Sequence, residues 1–213
     1  MTKNTLFYAG IGALLALTGC RKDPLNNLTS EESRVYITNR DASAQFSSYG
    51  TYSLVDSIAV ISANGQFKQR TSADADLLNT IETEMNKRGY RRVERTENPD
   101  LGLNVSKIDV SVTSIVPDYY PGYWSMYDAY WDPFYWGYGG YNYFFPTFYN
   151  VFNTQVSSIS IDMIDLENAA TSNNQLKVIW NAQLEGDNIL APAAARLAVV
   201  SAFDQSAYLG TNP

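Results

Sequence analysis

The chain has 213 residues, of which 15 are basic and 22 acidic, so its formal net charge is −7 at pH 7. An acidic chain repels phosphate backbones, which argues against a nucleic-acid partner. Histidine does not occur, and the only cysteine is Cys20. This excludes Ser-His-Asp and Cys-His catalysis and histidine-ligated metal sites. No phosphate-binding glycine loop or EF-hand spacing is found, and we expect no cofactor.

The first 19 residues have the order of a secretory signal. A basic start at Lys3 is followed by an apolar run over residues 6–17 and by the small pair Thr18-Gly19. That order is typical of a signal peptide that is cleaved after export. The run is too short to cross a bilayer, which needs about 20 apolar residues. Cleavage would remove Lys3 and leave about eight net negative charges.

The sequence Leu17-Thr18-Gly19-Cys20 resembles the lipobox of bacterial lipoproteins. The resemblance implies that the Cys20 thiol takes a diacylglycerol and becomes the new N-terminus. Two or three acyl chains, palmitate among them, would anchor the protein stably in a bilayer. The alternative is an ordinary signal peptide followed by a free thiol.

Residues 20–33 are polar and lack a sustained period, which is typical of a flexible tether. Arg21 and Lys22 follow the cysteine. An aspartate there favours retention in the inner membrane of Gram-negative bacteria. Its absence predicts an outer-membrane lipoprotein that faces the periplasm.

Residues 34–209 are predicted to form a single α+β domain. Apolar and β-branched runs indicate strands at residues 35–37 and 51–61. A helix follows over residues 73–88, with Ser72 as its N-cap and Gly89 as its stop. Its apolar stripe comprises Leu77, Leu78, Ile81 and Met85.

A short strand is predicted at residues 90–93, and a longer one begins at Leu101. Its apolar residues fall on odd positions up to Val105 and on even positions from Ile108. That phase change predicts a β-bulge near Ser106 and Lys107.

The last elements are an antiparallel hairpin and a helix. Apolar residues alternate over residues 159–164, and again over 176–183 with Leu176, Val178, Trp180 and Ala182 in one phase. A second helix is predicted from Pro192 to about residue 208. The fold class is α+β, a mostly antiparallel sheet with two helices packed on one face, plus a long aromatic-rich loop insert.

The insert spans residues 117–150, and half of its 34 residues are Tyr, Trp or Phe. Glycines and prolines interrupt both helical and strand periods. Three interpretations stay open: packing against the domain, a surface for a glycan or protein partner, and contact with lipid headgroups. The candidate binding surface consists of Tyr123, Trp124, Tyr130, Trp131, Tyr135 and Trp136.

Acidic residues cluster around the predicted hairpin. Asp162 or Asp165 with Glu185 could form the acid and base of a carbohydrate-active hydrolase. The simpler interpretation places Asp162 on a solvated polar face and Asp165 at a strand end.

Several short segments resemble the domain-of-unknown-function family 4136. They are Phe46-Ser47-Ser48-Tyr49-Gly50-Thr51-Tyr52, Lys87-Arg88-Gly89-Tyr90, Asp100-Leu101, the strand at residues 160–165, and Leu176-Lys177-Val178-Ile179-Trp180. The resemblance covers residues 35–209 and implies an α+β envelope lipoprotein without assigned catalytic residues or cofactor.

The predicted function is that of a membrane-anchored lipoprotein of the bacterial cell envelope. It would be a non-catalytic binding or structural module for an envelope component, such as a glycan, or for a protein partner. The hydrolase is the alternative. The expected partners are the bilayer, through acylated Cys20, and an envelope protein or glycan.

Overall fold

The computed structural model describes residues 29–62, 65–109, 135–144 and 157–211. The predicted signal peptide, Cys20 and most of the tether lie outside these residues. So do most of the aromatic insert and four residues of the candidate surface, namely Tyr123, Trp124, Tyr130 and Trp131.

Nine strands form a single sheet, and two helices complete the described domain. The strands are β1 (Val35–Arg40), β2 (Thr51–Leu54), β3 (Ile58–Ser62), β4 (Gly65–Gln69), β5 (Arg91–Arg92), β6 (Leu101–Asp109), β7 (Asn142–Phe144), β8 (Ser158–Asp165) and β9 (Gln175–Glu185). The helices are α1 (Ser72–Lys87) and α2 (Pro192–Gln205).

The sheet is mixed, so the prediction of a mostly antiparallel sheet is wrong. Its central order is β1-β9-β8-β6-β2-β5. The pairs β1–β9, β8–β9, β6–β8 and β3–β4 are antiparallel. The pairs β2–β6, β3–β6, β2–β5 and β7–β9 are parallel. The parallel pairs of β5 and β6 arise because α1 carries the chain back across the sheet between β4 and β5, so that these strands run in the direction of β2 and β3.

Helix α1 forms where its pattern predicts, with a different N-cap. Thr71, not Ser72, is the capping residue: its Oγ1 accepts a hydrogen bond from the Asp74 N–H at 3.2 Å. The Asp74 carboxylate accepts from the Thr71 N–H at 2.7 Å, which completes a capping box. Gly89 follows with a φ of +88° and ends the helix as predicted.

Both helices pack on the same face of the sheet. The apolar stripe of α1 and the buried side of α2 meet the sheet in the main core, which includes Trp180 and Phe203. These two rings lie 5.3 Å apart. Trp180 also donates from Nε1 to Ser206 Oγ at 3.0 Å, just beyond the end of α2. No helix within the described residues is both long and apolar enough to span a membrane.

The strand predicted over residues 51–61 is broken into β2 and β3. Both lie along β6, β2 at Leu101–Leu103 and β3 at Ser106–Asp109, and residues 55–57 leave the sheet between them. The hairpin strand β4 then pairs with β3. The polar pair Asp56-Ser57, which separates Leu54 and Val55 from Ile58, was the signal of this break in the sequence.

The β-bulge predicted near Ser106 and Lys107 is absent, because β6 pairs with β8 in unbroken register. The apolar residues of β6 change face because the sheet has a core on each side. Leu103 and Val105 face the helices, whereas Ile108 belongs to a second core on the other face. No extra residue is needed for that change.

The register shift lies instead in β9. Met163 is opposite Trp180 and Ile164 is opposite Val178, so Ile179 is the extra residue. The shift turns Leu176 and Val178 to the second core and Trp180 to the helices. The predicted common phase of these side chains is therefore wrong, although the antiparallel hairpin itself is confirmed.

Candidate functional site

A cavity lined by described residues lies on the face of the sheet opposite the helices, at the edge of the sheet. It has a volume of about 290 Å³ and is lined by residues 53–57, Lys68, residues 92–95, Trp136 and Tyr138. We call it the Trp136 groove. Four segments of the chain meet there.

The break between β2 and β3 forms one wall of the groove. Tyr52 and Leu54 belong to the main core, so Ser53 faces the groove side by strand alternation. The Val55 N–H still donates to the Leu103 carbonyl at 3.2 Å. The chain then turns outward at Asp56, whose Oδ1 accepts from Ser57 Oγ at 2.9 Å.

Aromatic residues from the end of the insert form the opposite wall. Trp136 is 3% exposed and Tyr138 is 8% exposed, and both belong to the second core with Ile61 and Val178. Tyr138 can lie this close to the sheet because residue 102 is glycine: a Cβ there would clash with the Tyr138 hydroxyl. Burial raises the pKa of Tyr138, against the opposing effects of a Ser53 hydrogen bond and the Arg95 charge.

Arg95 holds this aromatic wall in place. Its Nη1 donates to the Trp136 carbonyl at 2.9 Å. The guanidinium also lies against Gly137, whose φ is +83° and whose position leaves no room for a side chain. On the other side, the Lys68 ammonium lies 4.9 Å from the centroid of the Tyr135 ring.

The charges around the groove are mixed. Arg92 is ion-paired with Glu82 at 2.5 Å. Lys68 and Arg95 have no carboxylate partner within the described part of the chain. Asp56 and Glu94 are exposed and also line the groove. Apart from the Arg92–Glu82 ion pair, two cations and two carboxylates line the groove, so their charges balance.

Two residues of the predicted binding surface are described. Tyr135 is half-buried and contacts Trp136 edge to face, with ring centroids 5.2 Å apart. The Trp136 ring is packed into the second core, which leaves no open ring face for stacking on a sugar. Sequence reasoning missed Lys68 and Arg95, because the residues around them form no motif that indicates a binding site. The available signal was Gly102, an isolated glycine inside a strand, which indicates that another segment packs closely against the strand there.

The carboxylates of the hydrolase hypothesis are not brought together. Asp162 is buried, not solvated as predicted, and accepts a hydrogen bond from Asn181 Nδ2 at 2.7 Å. Glu185 is opposite Ser158 in the register, four residues from Asp162. That offset is about 13 Å along the strand, beyond the usual separation of a glycosidase pair.

Asp165 lies three residues beyond Asp162 and so points to the opposite face. It accepts from the Tyr49 hydroxyl at 3.0 Å and from Asn168 Nδ2 at 2.8 Å. Burial, together with the charge of Asp165, raises the pKa of Tyr49. These contacts tie the segment after β1 to the end of β8. Within the described ranges no three acidic or cysteine side chains are grouped to hold a metal ion.

The fold and the groove define an α+β domain with a mixed sheet, two helices on one face and an aromatic segment on the other. The chain belongs to the DUF4136 family, a domain of unknown function, whose family model matches residues 37–206. This confirms the resemblance found in the sequence.

A crystal structure of a DUF4136 family protein from Bacteroides thetaiotaomicron is similar to this chain. The two sequences are 27% identical, and the match covers 84% of this chain and 99% of the other, with a TM-score of 0.68. No curated protein matches the chain.

Proposed function

We propose that this protein is a membrane-anchored lipoprotein of the bacterial cell envelope, and a non-catalytic binding or structural module for an envelope component or protein partner. The observation that carries the proposal is Leu17-Thr18-Gly19-Cys20 after a basic start and an apolar run. Acylation of Cys20 would hold the domain beside a bilayer. The residues after Cys20 favour the outer membrane, with the domain in the periplasm.

Two features of the described domain favour binding over catalysis. The acidic side chains suggested as a catalytic pair are separated by the strand register. The Trp136 groove is a concave site with charged side chains beside a packed aromatic wall, an arrangement that suits binding.

The anchor is tested by metabolic labelling of cells with an alkyne analogue of palmitate. The wild-type protein should be labelled and should sediment with membranes, because the acyl chains partition into lipid. A Cys20→Ala variant should lose both properties. The matched control restores a cysteine elsewhere in the tether, as Cys20→Ala with Thr29→Cys, and should stay unlabelled. Label on this control, or on Cys20→Ala alone, would contradict acylation at Cys20.

The partner is tested by crosslinking in intact cells, followed by mass spectrometry. Wild type is compared with a variant that lacks residues 119–131, which include the predicted surface residues Tyr123, Trp124, Tyr130 and Trp131, while Trp136 and Tyr138 of the second core stay in place. If the insert contributes the binding surface, the deletion should remove specific crosslinked partners while palmitate labelling persists. An unchanged set of partners would count against that surface without affecting the anchor.

A further inference from the structure

The outer edge of the sheet has a gap inside the Trp136 groove. Strand β5 covers β2 at Thr51 and Tyr52, and β4 covers β3 from Ile58 onwards. Leu54 lies between these two partners. The Val55 N–H points inward to β6, so the peptide groups of Leu54 point outward into the groove. The gap therefore offers main-chain hydrogen bonds to an extended chain.

Two cations of the groove supply partners for a carboxylate. Lys68 and Arg95 approach it from opposite sides, and each contacts the aromatic segment at Tyr135 and Trp136. Neither is ion-paired within the described ranges, whereas Arg92 is already bound to Glu82. A carboxylate can therefore meet one or two cations here that have no ion-pair partner within the described residues. Asp56 and Glu94, which share the lining, would repel a doubly charged phosphate more than a single carboxylate.

The size and shape of the cavity further restrict which ligands can bind. A cavity of about 290 Å³ is at the small end for ligand sites, and holds roughly two residues of an extended peptide. A pyranose ring would need an open aromatic face, and the rings of Trp136 and Tyr138 are buried.

We propose that the Trp136 groove binds a short, extended acidic peptide segment of an envelope protein. Its main chain would pair with the open edge at Leu54, and its carboxylates would lie against Lys68 and Arg95. This inference rests on the proposed function in so far as it names the class of partner, but the groove can be tested independently of the anchor.

The test uses the full chain, purified in detergent, and two fluorescein-labelled hexapeptides. One alternates Glu with Val, and the other alternates Gln with Val. Fluorescence anisotropy should show binding of the Glu peptide, weakened as NaCl rises from about 50 to about 300 mM, and markedly weaker binding of the Gln peptide. Lys68→Glu should weaken binding of the Glu peptide about tenfold, because it reverses a charge at the groove.

Arg196→Glu is the matched control. It reverses a charge at an exposed position of α2, on the helical face of the sheet, and should leave binding unchanged. A second variant, Ser57→Trp, places a ring in the groove without changing charge and should also weaken binding of the Glu peptide. Urea unfolding verifies that all variants fold.

Equal binding of the two peptides, equal losses in Lys68→Glu and Arg196→Glu, or no binding at all would overturn the proposal. None of these outcomes depends on palmitate labelling. Loss of the anchor with retained peptide binding would overturn the proposed location alone.

Discussion

Ser158 and Ser160 are two buried serines on the same face of β8, and they differ in one contact. Ser160 Oγ accepts a hydrogen bond from Asn181 Nδ2 at 3.1 Å. Ser158 Oγ has no hydrogen-bond partner in the described structure. A buried hydroxyl without a hydrogen-bond partner destabilises the folded state, whereas a hydrogen-bonded hydroxyl stabilises it.

Ser158→Ala should therefore leave the free energy of unfolding unchanged or raise it by up to about 1 kcal/mol. Ser160→Ala, its matched control, should lower it by about 1 kcal/mol, since Asn181 loses an acceptor. Urea unfolding of the two variants measures both values. Equal losses in the two variants would contradict the assigned contacts.

Gly102 has a steric role that no side chain can fill. Gly102→Ala would place a Cβ against the Tyr138 hydroxyl and push the aromatic wall off the sheet. We expect a loss of about 2 kcal/mol in the free energy of unfolding. Adding Tyr138→Phe removes the clashing oxygen and should recover part of that loss.

Gly50→Ala is the control for the Gly102 substitution, because the nearest atom to its Cβ is Asp100 Oδ2 at 3.8 Å. Gly50→Ala should lower the free energy of unfolding only slightly. If Gly102→Ala is as harmless as Gly50→Ala, Tyr138 does not pack as described.

At the scale of elements, the N-terminus of α1 depends on a buried carboxylate. Asp74 is fully buried, accepts hydrogen bonds from Thr71 and Gln69, and is ion-paired with Lys107 of β6. Burial alone would raise the pKa of Asp74, but Lys107 and Thr71 outweigh it and lower that pKa to about 2. The ion pair fixes the start of α1 to the sheet.

The lowered pKa makes stability depend on pH in a defined window. The ordinary pKa of this carboxyl is 3.8, so its contribution is complete above about pH 4 and is lost as the pH falls towards 2. Asp74→Asn should lower the free energy of unfolding by about 2 kcal/mol at pH 7. The free energy of unfolding of this variant, measured by urea unfolding, should also fall less than that of wild type between pH 4 and pH 2.

Asp76→Asn is the control for this pH dependence, since Asp76 is exposed in the same turn of α1. It should keep the wild-type acid profile. An Asp74→Asn profile as steep as that of wild type would show that another group causes the acid sensitivity.

The elements that the sequence predicts well are those whose signals are local. Helix α1 has a stripe at helical spacing and a glycine stop, and the β8–β9 hairpin has two alternating runs close in sequence. The parallel pairing of β2 and β3 with β6 has no local signal, because alternation tells which side chains share a face but not which strand lies alongside. The strand β7 was hidden within an aromatic run.

At the scale of the whole molecule, two cores on one sheet explain the remaining errors. The interpretation of Ile108 and of Leu176 assumed a single apolar face, whereas both belong to the second core. The Trp136 groove was equally beyond local signals, because it needs residues 53–57, 92–95 and 136–138 together. In the sequence, only Gly102 and Gly137 indicated that side chains from distant segments pack closely here.

The proposed location depends on a lipid at Cys20, which would place this domain and its groove beside a membrane. The most direct measurement is mass spectrometry of the N-terminal peptide from protein purified from its native membrane. We predict a peptide that begins at Cys20 and carries a thioether-linked diacylglycerol. A peptide that retains residues 1–19, begins elsewhere, or has an unmodified thiol would contradict the account.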